Sequence, residues 1–421
     1  MRIWMVITVA MVGFGAAFAF AQEAPSRRIE RGLQGVNSGW MRAVLRIDAE
    51  HEIPFFLRRP IVDGGPALIR NGEEEIEVEA RIEGTQYIFD FPHYDSRITA
   101  DIQMHGLLTG EWTKTGPEGE QRTLRFEASR IPNPNPRIRF PRGGEPGAPH
   151  KPERFDFSGE WKMQFSESGI AKGVFEQAPG GVLSGTILTP TGDYRYLAGN
   201  VYDNRMSLSV FDGAHAFLFE GELDPLKGTV EGEFFSGSHW HETFTAERAE
   251  EGFELPDAFS EVVMAEGETR LRLAALDDPR YQVKPVIVTF FGTWCPNCND
   301  EASLLRELYE KHHGEGLQML GLAYEHTGAD ERSLRQVERF KQRHGIGWQV
   351  IVNGVSDKAK ASASLPQVSA IRSWPTTVFI NRDGTVRAIH SGFAGPATGE
   401  EHTQLRAEFE RLAREIVASK P

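Results

Sequence analysis

Residues 289–301, which read TFFGTWCPNCNDE, contain the only two cysteines of this 421-residue chain, Cys295 and Cys298. An apolar run at 286–291 precedes the pair, and a helical pattern at 302–313 follows it. The sequence therefore predicts a buried strand that delivers a C-x-x-C pair to the first turn of a helix. The free N–H groups and the dipole of a helix N-terminus stabilise a thiolate, which is the species that attacks a disulfide.

This pattern favours thiol–disulfide exchange over two other uses of a cysteine pair. We expect Cys295 to be the nucleophile and Cys298 to be the resolving thiol that closes the disulfide. A zinc site needs further Cys or His ligands at fixed spacing, and the sequence has no third cysteine. A structural disulfide stabilises most when it closes a long loop, and this pair closes almost none. We expect neither a metal nor a cofactor.

Length and charge restrict the remaining possibilities. A chain of 421 residues is expected to form two or three domains. The formal charge of −14 argues against a nucleic acid or an anionic membrane surface as partner, because both attract basic patches.

Residues 1–21 have the pattern of a cleavable signal peptide. Arg2 precedes an apolar run at 3–20, and Ala19-Phe20-Ala21 offers a small-x-small cleavage site. The alternative is an N-terminal anchor in the inner membrane that faces the periplasm, because the run is long enough to span a bilayer. Cleavage predicts a periplasmic protein with no stable membrane insertion. A lone cysteine pair in an oxidising compartment, where structural disulfides are common, is then expected to be kept for its reactivity.

The first half of the chain is predicted to be all-β and antiparallel. Residues 28–132 lack helical periodicity and alternate apolar with charged residues, as at 76–82. The Pro/Gly-rich segment 133–153 is expected to be a linker, because proline removes backbone donors. Evenly spaced short strands at 154–250 predict a barrel or a sandwich. This segment is either a second β-rich domain or the second half of one β-barrel.

Three features of the β-rich half allow two interpretations each. Residues 87–130 and 206–248 share an F-x-x-(Y/A) turn and an F-x-A-x-R ending, by internal duplication or by chance. His239 and His241 share one face of a strand, yet a metal would need a further ligand, so solvated or hydrogen-bonded imidazoles are expected. Residues 211–215 are expected to form a turn, or else to line a binding cleft.

Residues 254–421 alternate strands with helices, which predicts a parallel sheet covered by helices. An Asp-Gly turn at 383–384 adds an antiparallel hairpin to that sheet. The expected helices lie at 297–313, 330–344 and 399–418.

Two motifs in this part resemble a known family. F-x-x-x-W-C-P-x-C after a buried strand, together with Trp374-Pro375-Thr376-Thr377 at the start of another, resembles the thioredoxin-like fold, and more closely its exported TlpA/ResA-like branch. The resemblance covers residues 255–421, and some proteins of this kind carry a β-rich N-terminal extension. It implies that Pro375 is a cis-proline beside the disulfide. It also implies a substrate groove formed by Trp294, Pro296, Trp374, Pro375 and Thr376.

The resemblance also bears on the residues around the pair. Cytoplasmic thioredoxins carry a buried Asp six residues before the first cysteine, and this chain has Thr289 at that position. The ResA-like branch instead has a Glu six residues after the first cysteine, and this chain has Glu301 there. That acid either accepts the proton of Cys298, if burial raises its pKa, or only complements the helix dipole. Asn297, between the two cysteines, is a second departure from the family pattern. Residues at this position affect thiolate stability and hence the redox potential. A peroxiredoxin would have Thr three residues before its nucleophile, and this chain has Gly292 there, which argues against that class of enzyme.

Two functions follow from these expectations. The first is an exported thiol–disulfide oxidoreductase that reduces disulfides of periplasmic proteins, with electrons from a membrane thiol donor. The second is an envelope binding or scaffold protein whose thioredoxin-like domain is a redox-sensitive dock. The intact cysteine pair and Pro375 favour the first.

Overall fold

The computed structural model describes residues 40–60, 65–116, 119–130 and 155–421. The expected signal peptide or anchor at 1–21 and the expected linker at 133–153 lie outside these ranges. Within them, no helix combines the length and the apolar content that crossing a membrane requires.

The first β-rich segment folds into a closed antiparallel barrel in which strands that are adjacent in the chain pair with each other. Its strands are β1 (Trp40–Arg46), β2 (Glu52–Arg58), β3 (Ala67–Asn71), β4 (Glu74–Glu83), β5 (Gln86–Phe91), β6 (Ser96–Ile102), β7 (Leu108–Thr115) and β8 (Gln121–Arg130). The pairing of β1 with β8 closes the ring, with Met41 opposite Arg130. Alternate residues point inward, as Ile98 and Ala100 do on β6.

The second β-rich segment closes on itself as a separate barrel, so it is not the second half of the first. Its strands are β9 (Gly159–Phe165), β10 (Gly169–Ala178), β11 (Val182–Thr189), β12 (Gly192–Asp193), β13 (Leu197–Tyr202), β14 (Arg205–Phe211), β15 (Ala216–Asp224), β16 (Thr229–Ser236) and β17 (Trp240–Arg248). Pairing of β10 with β9 and β11, and of β17 with β9, completes the ring. The short β12 lies at the end of β11.

The two barrels share a hydrophobic core. Phe211 and Leu218 belong to the second barrel by sequence, yet they pack among the core side chains of the first. The Phe211 ring lies 4.6 Å from that of Phe55 and 5.5 Å from that of Trp112. The Asn71 amide holds the Phe211 backbone through one donated and one accepted hydrogen bond, of 2.9 and 3.0 Å. Each barrel therefore needs the other to bury its apolar surface.

The repeated sequence patterns occupy equivalent places in the two barrels. Residues 87–130 span the last four strands of the first barrel, and residues 206–248 span the last four strands of the second. This placement is what an internal duplication predicts.

The C-terminal part has the predicted thioredoxin-like fold, a mixed sheet covered by helices. Its strands are β18 (Val286–Phe291), β19 (Gln318–Glu325), β20 (Gln349–Val355), β21 (Thr376–Ile380) and β22 (Val386–Ser391), and its helices are α1 (Pro296–His312), α2 (Glu331–His344), α3 (Lys358–Ala363) and α4 (Glu400–Ala418). The sheet order is β20-β19-β18-β21-β22, with the first three strands parallel. Every residue of the central β18 is buried, as expected for a strand covered on both faces.

Loops of the barrels pack directly on the thioredoxin-like domain. Between β5 and β6, Asp95 accepts from Arg332 of α2 at 2.6 Å. Between β11 and β13, Asp193 accepts from the backbone N–H of Gly395 at 2.6 Å. The close approach explains Gly392, because a Cβ there would lie 1.9 Å from the Thr191 carbonyl oxygen. The barrels and the thioredoxin-like domain thus meet at the side that carries the cysteine pair.

Candidate active site

The two thiols lie where the sequence predicts, at the start of a helix that follows a buried strand. β18 ends at Phe291, and the chain turns so that Cys295 becomes the residue immediately before α1. Pro296 takes the first helical position, where its missing N–H costs no hydrogen bond. Cys298 follows within the first turn. Both thiols are free and buried, with 8% of Cys295 and 2% of Cys298 exposed.

A buried acid that sequence reasoning missed anchors the loop before the nucleophile. Thr293 donates to Glu325 from its backbone N–H at 2.9 Å and from its hydroxyl at 2.8 Å. Glu325 ends β19, next to β18 in the sheet, and its burial raises the pKa of its carboxyl. No local motif points to this contact, because it joins the ends of two strands that only the sheet order brings together.

Asn299 holds the same loop from inside the helix. Its side-chain amide donates to the carbonyl oxygens of Thr293 at 3.1 Å and Cys295 at 2.9 Å. The His344 Nε2 lies 2.9 Å from the Asn299 Oδ1 and fixes the orientation of that amide. The backbone around the nucleophile is therefore fixed from β19, α1 and α2.

The residues expected to form a substrate groove surround the pair but are mostly covered. The Trp374–Pro375 peptide bond is cis, as the resemblance implies, and the Trp374 carbonyl oxygen lies 3.5 Å from the Cys295 Sγ. Trp294 stacks on His326 at 4.9 Å. Of the five expected groove residues, Trp294 alone is half-buried, whereas Pro296, Trp374, Pro375 and Thr376 are buried.

Glu301 lies beneath the pair, inside the protein. Its carboxylate accepts hydrogen bonds from the Thr289 hydroxyl at 2.9 Å and the Thr377 hydroxyl at 2.7 Å. Burial raises the pKa of Glu301 to about 7, and the two hydroxyls only partly oppose this effect. The two positions that the resemblance singled out, Thr289 and Glu301, are therefore direct partners.

Cys298 and Glu301 line the same small cavity, which has a volume of about 10 Å³. That is roughly the room one water needs. Burial raises the pKa of the Cys298 thiol well above its usual range, and the hydrogen bond and the charge of Cys295 add to this effect. A buried thiol that is hard to ionise thus lies beside an acid that titrates near neutrality.

A buried cluster of charges, which we call the Arg195 node, joins the three folding units next to α1. The Arg195 guanidinium lies 2.8 Å from Glu74 of the first barrel, 3.3 Å from Asp212 of the second and 2.6 Å from Asp300 of α1. Arg195 has a φ of 63°, in the left-handed region that non-glycine residues rarely adopt. Asp193 holds this turn by accepting from the Arg195 backbone N–H at 2.7 Å.

Two other sequence features have structural explanations. Residues 211–215 form a turn that is buried between the barrels rather than an open cleft, and its Asp212 accepts from the backbone N–H groups of Ala214 and His215. His241 lies 3.0 Å from Glu233 at the surface. Across the described ranges, no group of three or more His, Cys, Asp or Glu side chains is arranged to hold a metal ion.

Comparisons with known proteins relate this site to other chains. Residues 252–389, which include both cysteines and Pro375, match the family model described as the AhpC/TSA family. The thiol-disulfide oxidoreductase ResA of Halalkalibacterium halodurans is 29% identical over 122 residues, which cover 29% of this chain and 62% of that protein. The ResA of Geobacillus kaustophilus is 27% identical over 124 residues, which cover 30% of this chain and 64% of that protein. The chain thus spans less than two thirds of the length of these relatives.

Among solved structures, a DsbF homologue from Corynebacterium diphtheriae is 20% identical to this chain. The aligned part covers 38% of this chain and 97% of that chain, with a TM-score of 0.27.

Proposed function

We propose that this protein is a thiol–disulfide oxidoreductase that reduces disulfides of other proteins. The observation that carries the proposal is the position of Cys295 immediately before α1, 3.5 Å from the Trp374 carbonyl oxygen, with Cys298 buried behind it. The similarity to the ResA proteins supports the same chemistry.

In the forward reaction the Cys295 thiolate attacks one sulfur of the substrate disulfide. A mixed disulfide forms, and the first substrate sulfur leaves as a thiolate that takes up a proton. Cys298 then loses its proton, attacks the Cys295 Sγ and releases the second substrate thiol. The substrate gains two electrons, and Cys295 and Cys298 end as a disulfide. A dithiol donor, which we propose to be a membrane thiol protein, must reduce that disulfide again.

Glu301 is the proposed acceptor of the Cys298 proton. It titrates near pH 7 and lines the same one-water cavity as Cys298, so a proton can pass between them over a short path inside the protein. Without such a base, the raised pKa of the Cys298 thiol would leave almost none of it ionised at neutral pH.

The proposed location is the periplasm, where disulfides persist. The apolar run and the Ala19-Phe20-Ala21 site at the start of the chain support export. Metabolic labelling followed by fractionation tests it: a shortened mature form in the periplasmic fraction is expected, and an unprocessed form in the cytosol would contradict it.

Peroxide reduction is a weaker alternative for this site. A Cβ at Gly292 would lie 2.3 Å from the Trp294 Nε1, so the Thr of a peroxiredoxin could not replace this glycine without moving the indole. Hydrogen peroxide therefore serves as a comparison substrate in the test below.

The test is reduction of insulin by dithiothreitol, followed as turbidity. We expect acceleration by the wild type and none by Cys295→Ser, with little turnover of hydrogen peroxide by either. The Cys298→Ser variant should accumulate mixed disulfides with its substrates. Equal insulin reduction by wild type and Cys295→Ser would refute the enzyme and leave the scaffold function.

A further inference from the structure

Residues 189–195, which we call the 189–195 turn, belong to the second barrel and lie beside the cysteine pair. The Gly192 backbone packs against the Asn297 side chain so closely that a Cβ at Gly192 would lie 2.5 Å from the Asn297 Nδ2. Asn297 separates Cys295 from Cys298 in the chain. The turn therefore contacts the redox motif itself, and not only the domain that carries it.

The same turn contacts the loop beside the cis-proline. The Gly392 N–H donates to the Pro375 carbonyl oxygen at 2.7 Å. Gly392 also approaches the Thr191 carbonyl oxygen too closely for a Cβ to fit between them. Asn297 reaches this loop as well, because its Nδ2 donates to the Phe393 carbonyl oxygen at 3.4 Å. The turn thus lies against both segments that flank the nucleophile, the start of α1 and the loop beside the cis-proline.

Two anchors fix the turn in this position. On the side of the thioredoxin-like domain, the Asp193 carboxylate accepts from the Gly395 backbone N–H at 2.6 Å. Inside the second barrel, the Tyr194 ring packs on those of Phe219 and Phe234, with centroids 5.1 and 5.2 Å away. The turn is therefore held from both sides, by the core of the second barrel and by the thioredoxin-like domain.

A polypeptide disulfide must bring its backbone close to the nucleophile. The two Cα atoms of a disulfide usually lie about 4.4–6.8 Å apart, so the substrate backbone comes within that distance of the Cys295 Cα in the mixed disulfide. Asn297 is two residues from Cys295 in the chain, and Gly192 packs against it. A small disulfide has no flanking chain and needs less room around the thiol.

We propose that the 189–195 turn is a specificity-determining element of the thiol site, which obstructs polypeptide disulfides on the side of Asn297 and Gly392 and leaves small disulfides free to react. The polypeptides that react are those that reach Cys295 from the side away from the turn. The second barrel then selects the substrates of the pair by exclusion. This inference rests on the proposed function, because it concerns which disulfides the same pair reduces.

Loosening the turn should favour a protein disulfide over a small one. Asp193→Ala removes the carboxylate that ties the turn to Gly395. We expect kcat/KM for insulin to rise about threefold or more, because a steric obstacle is withdrawn, while kcat/KM for bis(2-hydroxyethyl) disulfide changes less than about twofold. Asp193→Asn keeps an oxygen that can accept the Gly395 hydrogen bond, so its ratio of the two constants should stay near that of the wild type.

Thr189→Val is a milder second variant, because it removes the hydroxyl that donates to the Gly192 carbonyl oxygen at 3.1 Å inside the turn. It should shift the same ratio in the same direction, and it keeps the test decisive if Asp193→Ala does not fold. Asp224→Ala is the matched control, since Asp224 accepts from the Leu226 backbone N–H in an exposed turn of the second barrel. It should change neither constant.

Alkylation of Cys295 by iodoacetamide in the Cys298→Ser background separates access from thiol chemistry. Its rate should be the same with and without Asp193→Ala, because the reagent is small. An alkylation rate that rises as much as the insulin constant would overturn the inference, since Asp193 would then act on the thiol itself. An unchanged or lower ratio of the insulin constant to the small-disulfide constant in Asp193→Ala would overturn it too. A wild type that reduces neither disulfide would refute the proposed function, and the inference with it.

Discussion

Glu301 is a buried acid whose hydrogen-bond partners, within the described ranges, are two hydroxyls. Thr289 and Thr377 satisfy its two oxygens, but neither supplies a positive charge. The consequence for stability depends on pH. Its pKa is 4.5 as an ordinary glutamate and about 7 in the folded chain, so between these values only the folded state keeps the proton.

We therefore expect Glu301→Gln to flatten the pH dependence of the free energy of unfolding. In the wild type, the stability linked to this proton is complete below pH 4.5 and lost as the pH rises through about 7, a change of about 3 kcal/mol. The Glu301→Gln variant should not lose this stability as the pH rises. Urea unfolding of the oxidised protein at pH 5 and 8 measures it.

Glu310→Gln on the exposed side of the same helix is the control, because Glu310 is 60% exposed and pairs with Arg306 at the surface. It should keep the pH dependence of the wild type. A pH dependence of Glu301→Gln as steep as that of the wild type would show that Glu301 does not carry it.

At the scale of elements, two kinds of ion pair join the barrels to the thioredoxin-like domain. The pair between Asp95 and Arg332 is accessible to water, with 39% of the Asp95 side chain exposed. The Arg195 node is enclosed, with 11% of the Arg195 side chain and 2% of the Asp212 side chain exposed. The charges of His215 and Arg195 outweigh burial and hold the pKa of Asp212 well below its usual range. The enclosed contacts should dominate the docking of the domains.

We expect Asp95→Asn to lower the free energy of unfolding by at most about 1 kcal/mol, because exposed pairs contribute little. Arg195→Met should cost about 3–5 kcal/mol, since it leaves buried carboxylates without a counter-charge. Denaturant unfolding of both variants beside the wild type gives the comparison. An equal loss of unfolding free energy in the two variants would mean that the Arg195 node does not hold the domains together.

The sequence predicted those elements whose signals are local. Glycine and aspartate between short apolar runs located most strands of the second barrel, and the C-x-x-C pair located the start of α1. α3 was missed because six residues are too few to show a helical period. On α2, Leu334 is 57% exposed although it is apolar, and Val337 and Phe340 lie on the buried face of that helix.

The supporting residues of the site could not be predicted in this way. Glu325 meets Thr293 only through the sheet order, and Arg195 meets Asp300 of α1 only through the docking of the barrels. Sequence patterns report which face of an element is buried, but not which distant element covers it.

For the whole molecule, the shared core means that the barrels should unfold together. We expect Phe211→Ala to cost about 3–5 kcal/mol, the usual effect of emptying a buried phenylalanine site. The loss should extend to the first barrel, because the Phe211 ring contacts Phe55 and Trp112 there. Hydrogen exchange of the β2 and β7 amides under native conditions measures this transfer.

Phe244→Ala is the comparison for this experiment, because Phe244 packs within the core of the second barrel. Both substitutions should speed exchange in the second barrel. Exchange in β2 and β7 that stays unchanged in Phe211→Ala would mean that the barrels are independent.

The shared core also sets an order of events during synthesis. The first barrel has all of its strands once Arg130 has left the ribosome, yet Phe211 and Leu218, which complete its interior, follow only after β9 to β13 have been made. Until then, the nascent chain carries the strands of the first barrel without the side chains of the second barrel that pack against its core. Such an intermediate exposes apolar surface that other chains or holdase chaperones bind. A slow codon or a translation arrest between these points would prolong that exposure, and the yield of folded protein should depend on how quickly the ribosome passes through this segment.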